Sequence, residues 1–195
     1  MEAADLDRGR RACLLALAAG LGGAALGGCD ARVRNEKAAA GDADPVALAR
    51  TATGFTAGAT TARQEAFVFF DMQCPHCGRL WQASKPLQDR VRFVWIPVAL
   101  LNKDSLEQGA ALLGAQEPVA LMDRHEAELL AGGKGLAVTD AAPAGRDQVQ
   151  ANTKVFQSLG AGSVPYLVAR NQNSDRPVTH AGALSTGDLA ALLGV

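Results

Sequence analysis

Residues 65–81 constrain the fold more than any other stretch, because an apolar run there meets a closely spaced cysteine pair. Phe67, Val68, Phe69 and Phe70 form a continuous β-favouring segment, the pattern of a strand buried on both faces. Cys74-Pro75-His76-Cys77 follows directly. Pro75 suits the first turn of a helix, where its missing N–H would have no partner in any case. Cys74 is therefore expected at or beside the helix N-cap, with Cys77 one turn further on.

A thiol in that position faces unpaired backbone N–H groups and the positive end of the helix dipole, both of which favour the thiolate. His76 adds positive charge when protonated, so Pro75 and His76 are the residues expected to tune the pair. The reading is a solvent-facing nucleophile at Cys74 with a lowered pKa, and a more buried resolving partner at Cys77. A stabilised thiolate favours the reduced form and makes the disulfide an oxidant.

Two cysteines three apart cannot form a structural framework; they are a redox couple or half a metal site. The metal reading needs further ligands. His125 and His180 are distant in sequence and expected on the surface, and no second cysteine pair exists. No metal and no other cofactor is expected.

The 195 residues give room for one ordinary domain plus extras. A net charge of −1, without a basic patch interleaved with aromatics, excludes nucleic acid as a partner. Arg8, Arg10 and Arg11 precede a Gly/Ala/Leu-rich apolar run over residues 12–28, the order of charge and apolar region in a secretory signal. The alternative is a transmembrane anchor, disfavoured by the shortness and glycine content of the run. Residues 30–50 lack apolar periodicity and read as a flexible tether. The folded domain is then expected over residues 51–195, opening with a weak edge strand within 51–61.

After the first central strand, a helix over 75–90 is kinked or ended by Pro86. A second strand over 91–98 completes a parallel βαβ unit. Two amphipathic helices, 105–113 and 117–130, form an insert at about 103–131. Gly132-Gly133-Lys134-Gly135 is a loop without the surroundings of a phosphate-binding one. A helix over 145–159 ends at Gly160. Val164-Pro165 leads into a strand over 166–169, followed by a turn at 171–175 and a return strand at 177–180. A last helix, 185–193, is capped by Ser185 with Asp188. The class is α/β.

Cys74-Pro75-His76-Cys77, Asp71, Trp81, the helical insert and Val164-Pro165-Tyr166 together resemble the thioredoxin-fold Dsb family of periplasmic thiol–disulfide oxidoreductases. The likeness runs from about residue 65 to residue 195. The Pro-His dipeptide is DsbA-like, whereas Asp71, Trp81 and the insert are similar to the DsbG/DsbC branch. The resemblance implies a thioredoxin-like fold, a central mixed sheet flanked by helices. It also implies a cis peptide bond before Pro165 and a substrate-binding backbone at Val164 and Pro165. Thioredoxins carry a buried proton-relaying acid at the position of Val68, so that relay is missing here; Asp71, at the strand end, is a candidate for it, with a plain turn or cap role as the alternative. The residues ahead of the core leave no room for the N-terminal dimerisation domain of the DsbG/DsbC branch, so a dimeric isomerase is not expected.

Leu26-Gly27-Gly28-Cys29 resembles a bacterial lipobox. That implies a signal over 1–29, lipidation of Cys29, and a protein held at the inner membrane facing the periplasm. The expected function is a thiol:disulfide oxidoreductase acting on client proteins with cysteine thiols or disulfides and recycled by a membrane redox partner. Its direction is open between oxidase and reductase. The alternative is a copper metallochaperone or assembly factor using the same thiols.

Overall fold

The computed structural model describes residues 44–138 and 141–195. The chain runs through α1 (Pro45–Ala49), β1 (Phe55–Ala57), β2 (Gln64–Asp71), α2 (Pro75–Ser84), β3 (Val91–Val98), α3 (Lys103–Leu113) and α4 (Pro118–Leu130). It continues through α5 (Pro143–Ser158), β4 (Tyr166–Arg170), β5 (Pro177–Ala181) and α6 (Thr186–Leu193). The strands form one sheet in the order β1-β3-β2-β4-β5. β2 and β3 are parallel, with Phe67 opposite Val94, and the other pairings are antiparallel. This is the expected thioredoxin-like α/β arrangement.

Alternation along β2 sets the layers. Val68 and Phe70 enter one core with Leu80 and Trp81 of α2, Met122 of α4 and Leu189 of α6. Phe67 and Phe69 enter the opposite core with Val46 of α1 and Phe156 of α5. A strand apolar on both faces is stable only when helices cover both. Beneath α2 the rings of Trp81 and Trp95 meet edge to face at 5.0 Å, and Phe70 meets Trp95 at 5.5 Å. Such pairs add about 0.5–1.5 kcal/mol beyond the area they bury, so the active-site helix rests on a stiff floor.

Two boundaries differ from the sequence reading. The stretch expected to be tether through Arg50 ends in α1, which Asp44 caps through the N–H of Val46 and which buries Val46 and Ala49. Five residues are too few to show apolar periodicity, so the pattern is silent there. The helix expected over 75–90 stops at Ser84 and gives way to a 3₁₀ turn, Lys85–Leu87. Pro86 has no N–H to offer the Gln82 carbonyl, which instead takes the N–H of Lys85.

Candidate active site

Cys74 is the N-cap residue of α2, and no side chain caps that end. Its N–H donates to the Asp71 carbonyl at 3.0 Å, and its own carbonyl accepts the N–H of Cys77 at 2.9 Å. Both cysteines are free thiols. The structure corrects one expectation: Cys74 is not solvent-facing but 5 % exposed, while Cys77 is fully buried. The sulfur of Cys74 is reached from a groove rather than from a flat surface.

The two thiols titrate far apart. The Cys77 side chain donates a hydrogen bond to Cys74, and the N–H groups of Cys77 and His76 add to it, bringing the Cys74 pKa down to about 7 against the opposing effect of burial. Burial, followed by the same hydrogen bond and the charge of Cys74, pushes Cys77 well above the ordinary thiol range. One sulfur is thus ready to ionise while its neighbour holds its proton.

Pro75 and His76 are exposed. The Arg79 guanidinium lies 2.9 Å from Nδ1 of His76. Arginine has only donors, so Nδ1 accepts in this arrangement, and the fixed positive charge beside the pair belongs to Arg79.

The Val164–Pro165 bond is cis. The Val164 carbonyl lies 3.7 Å from Cys74 Sγ, with the thiol as donor. Cys74, His76, Leu100, Leu101, Phe156 and Val164 line a largely apolar groove of about 600 Å³. Leu100 and Leu101 are 40 % and 54 % exposed.

Asp71, the candidate relay, is engaged otherwise. Its buried carboxylate accepts the N–H groups of Gln73, Leu100 and Leu101 and the hydroxyl of Ser105, at 2.7 to 3.1 Å. These bonds make the residue a clasp between the end of β2 and the segment that carries Leu100 and Leu101.

Two residues near the pair escape the sequence reading. His125 is not on the surface but fully buried. Its Nε2 donates to the Met72 carbonyl, and its Nδ1 accepts the N–H of Leu136 at 3.0 Å. Burial holds its pKa below the usual histidine value. Glu126, also on α4, is fully buried, and among the described residues neither carboxyl oxygen has a hydrogen-bond partner. The available signal is a charged residue on the apolar stripe of that helix, at helical spacing with Met122 and Leu129.

Cys29, the expected lipidation site, and Cys13 lie outside the described residues. Among the described residues no group of three His, Cys, Asp or Glu side chains is placed to hold a metal, so the copper reading gains no further ligand. Among them, too, no helix is long and apolar enough to cross a membrane.

No family profile matches the chain. It is 31% identical over 140 residues to the thiol:disulfide interchange protein DsbG of Pseudomonas aeruginosa, covering 70% of the chain and 54% of that protein. It is 30% identical over 106 residues to DsbG of Escherichia coli, covering 52% and 41%. The chain therefore spans about half the length of the curated relatives it matches. Among solved structures it is similar to the catalytic domain of Proteus mirabilis ScsC, at a TM-score of 0.60 and 18% identity, covering 77% of the chain and 97% of that domain.

Proposed function

We propose, starting from a chain that is a thioredoxin-fold relative of the Dsb thiol:disulfide interchange proteins, that it exchanges disulfides with client proteins through Cys74 and Cys77. The observation that carries this reading is the free Cys74 at the N-cap of α2, which accepts a hydrogen bond from the Cys77 thiol and opens onto an apolar groove. The Cys74 thiolate attacks a client sulfur, forms a mixed disulfide and releases the client's other thiolate. Cys77 then attacks Cys74, closing the internal disulfide and freeing the client. An extended client segment pairs with the backbone at Val164 and Pro165, a reading supported by the Val164 carbonyl 3.7 Å from Cys74 Sγ.

A Cys74 pKa of about 7 stands near the thioredoxin value and far above the roughly 3.5 of the strongly oxidising DsbA. That nearness favours reduction of client disulfides or sulfenic acids as the direction we propose. It works in the periplasm, tethered through lipidated Cys29, and a membrane redox partner returns it to the dithiol. Pro75 and His76 set the exposed lip beside the pair.

The test is to trap the first intermediate. Cys77→Ala should accumulate a mixed disulfide at Cys74 with a cystine-containing peptide, and Cys74→Ser should form none. Exchange that survives in Cys74→Ser would overturn the assignment.

A further inference from the structure

The thioredoxin-type acid is absent from β2, whose side chain at that position is Val68. A carboxyl reaches the same neighbourhood from elsewhere. Glu126 is carried by α4 of the helical insert and packs against the start of α2. Gly78, the residue after Cys77, leaves the space it occupies: a Cβ built there would lie 2.3 Å from Glu126 Oε2 and 3.2 Å from its Cδ. Leu130 Cγ lies 3.3 Å from the same point. Neither carboxyl oxygen has a hydrogen-bond partner among the described residues, and the side chain is fully buried. An unpaired buried carboxylate is costly, and a neutral acid far less so. A structural role would call for a donor, and the described residues provide none.

We propose that Glu126 stores and moves the proton that Cys77 must lose and regain during exchange. The inference rests on the thiol-exchange reading and adds the proton path to it.

Electrostatics follow the same geometry. Burial, then the charge of Cys74, raises the Glu126 pKa to about 8, and Glu126 in turn helps to raise Cys77. Asp71, at the end of β2, raises Cys74 and His125. In the resting dithiol, with Cys74 ionised, Glu126 is a neutral acid. Forming the mixed disulfide removes the Cys74 charge and with it one of the two causes that hold the proton on Glu126. With that charge gone, the carboxyl releases its proton to solvent. The resulting carboxylate accepts the proton of the Cys77 thiol as that sulfur attacks Cys74. The Cys74–Cys77 bond forms, the Cys74–client bond breaks, and the client departs as thiolate. The cysteine pair is oxidised as the client disulfide is reduced, and Glu126 again holds one proton. In the opposite direction Glu126 protonates Cys77 as it leaves.

The experiment compares wild type with Glu126→Gln, which keeps shape and loses the acid. A cystine-containing peptide is mixed with each reduced protein, and formation and resolution of the mixed disulfide are followed separately by rapid acid quench. The proposal expects the ratio of resolution rate to formation rate to fall about a hundredfold in Glu126→Gln, the scale of general acid–base catalysis. The wild-type pH dependence of resolution should vanish with it. Resolution at the wild-type rate with an unchanged pH profile would overturn the relay alone. Failure of the wild type to form any mixed disulfide would instead overturn the thiol-exchange reading. Should Glu126→Gln fail to fold, the infrared redox-difference spectrum of the wild type decides. A buried protonated carboxyl band at neutral pH that shifts between dithiol and disulfide supports the relay, and its absence overturns it.

Discussion

The Asp71 carboxylate holds the backbone N–H of Leu100 at 2.7 Å, tying the end of the active-site strand to one lip of the groove beside Cys74. Oδ2 also accepts the N–H of Leu101, while Oδ1 serves Gln73 and Ser105. Asp71→Asn places an NH₂ group where donors already point. It should lose about 3 kcal/mol of stability, as expected for charge-assisted bonds left unmade, and weaken client binding through the loosened lip. Chemical denaturation and the KM for a cystine-containing peptide check both effects. Unchanged stability would remove the clasp.

Cys77 is the largest single influence lowering the Cys74 pKa. Cys77→Ala should therefore move the Cys74 titration upward from about 7. Thiolate absorbance followed against pH in the two proteins gives the comparison, and a midpoint that stays put would contradict the side-chain hydrogen bond.

Glu126 gives the reduced protein a pH-dependent stability of definite sign. Its folded pKa of about 8 lies above the ordinary 4.5, so between those values the folded state binds the proton that the unfolded state has released. The stabilising contribution is fully present below 4.5 and is lost as pH rises through about 8. His125, with its lowered pKa, and Cys74 act in the opposite sense, so the informative quantity is wild type minus Glu126→Gln. That difference should decline with rising pH by a few kcal/mol in all, since each tenfold change in proton affinity is worth about 1.4 kcal/mol. A flat difference would show that the carboxyl is not held neutral.

Leu101 is more than half exposed beside the reacting sulfur. Leu101→Ser should leave folding within about 0.5 kcal/mol of wild type. It should also raise the peptide KM about tenfold, the worth of roughly 1.5 kcal/mol of apolar contact. Steady-state kinetics with an apolar-flanked peptide provide the measurement, and an unaltered KM would move the client elsewhere.

The parts of the fold legible in sequence are those written in local pattern. The Phe67–Phe70 run marks a doubly buried strand, Val91–Val98 is readable to its ends, and Ser185 with Asp188 marks the last helix. Cys74 at an N-cap follows from Pro75 alone. The features that local pattern misses depend on what packs across the molecule. Cys74 shares its groove with Leu100, Leu101 and Val164, a juxtaposition that only the fold creates. His125 is polar and reads as a surface residue; only the folded chain brings the Met72 carbonyl and the Leu136 N–H to its two nitrogens. Glu126 is a charged residue on an apolar stripe, a conflict between local rule and global burial of the kind that collects at functional sites.

Both tryptophans of the chain are buried in the edge-to-face stack under α2, one of them on the helix that carries Cys77. The molecule thus contains its own optical reporter. With no other indole to dilute the signal, intrinsic tryptophan fluorescence observes the floor of the redox pair alone, and opening or closing of the Cys74–Cys77 bond can be timed without a label.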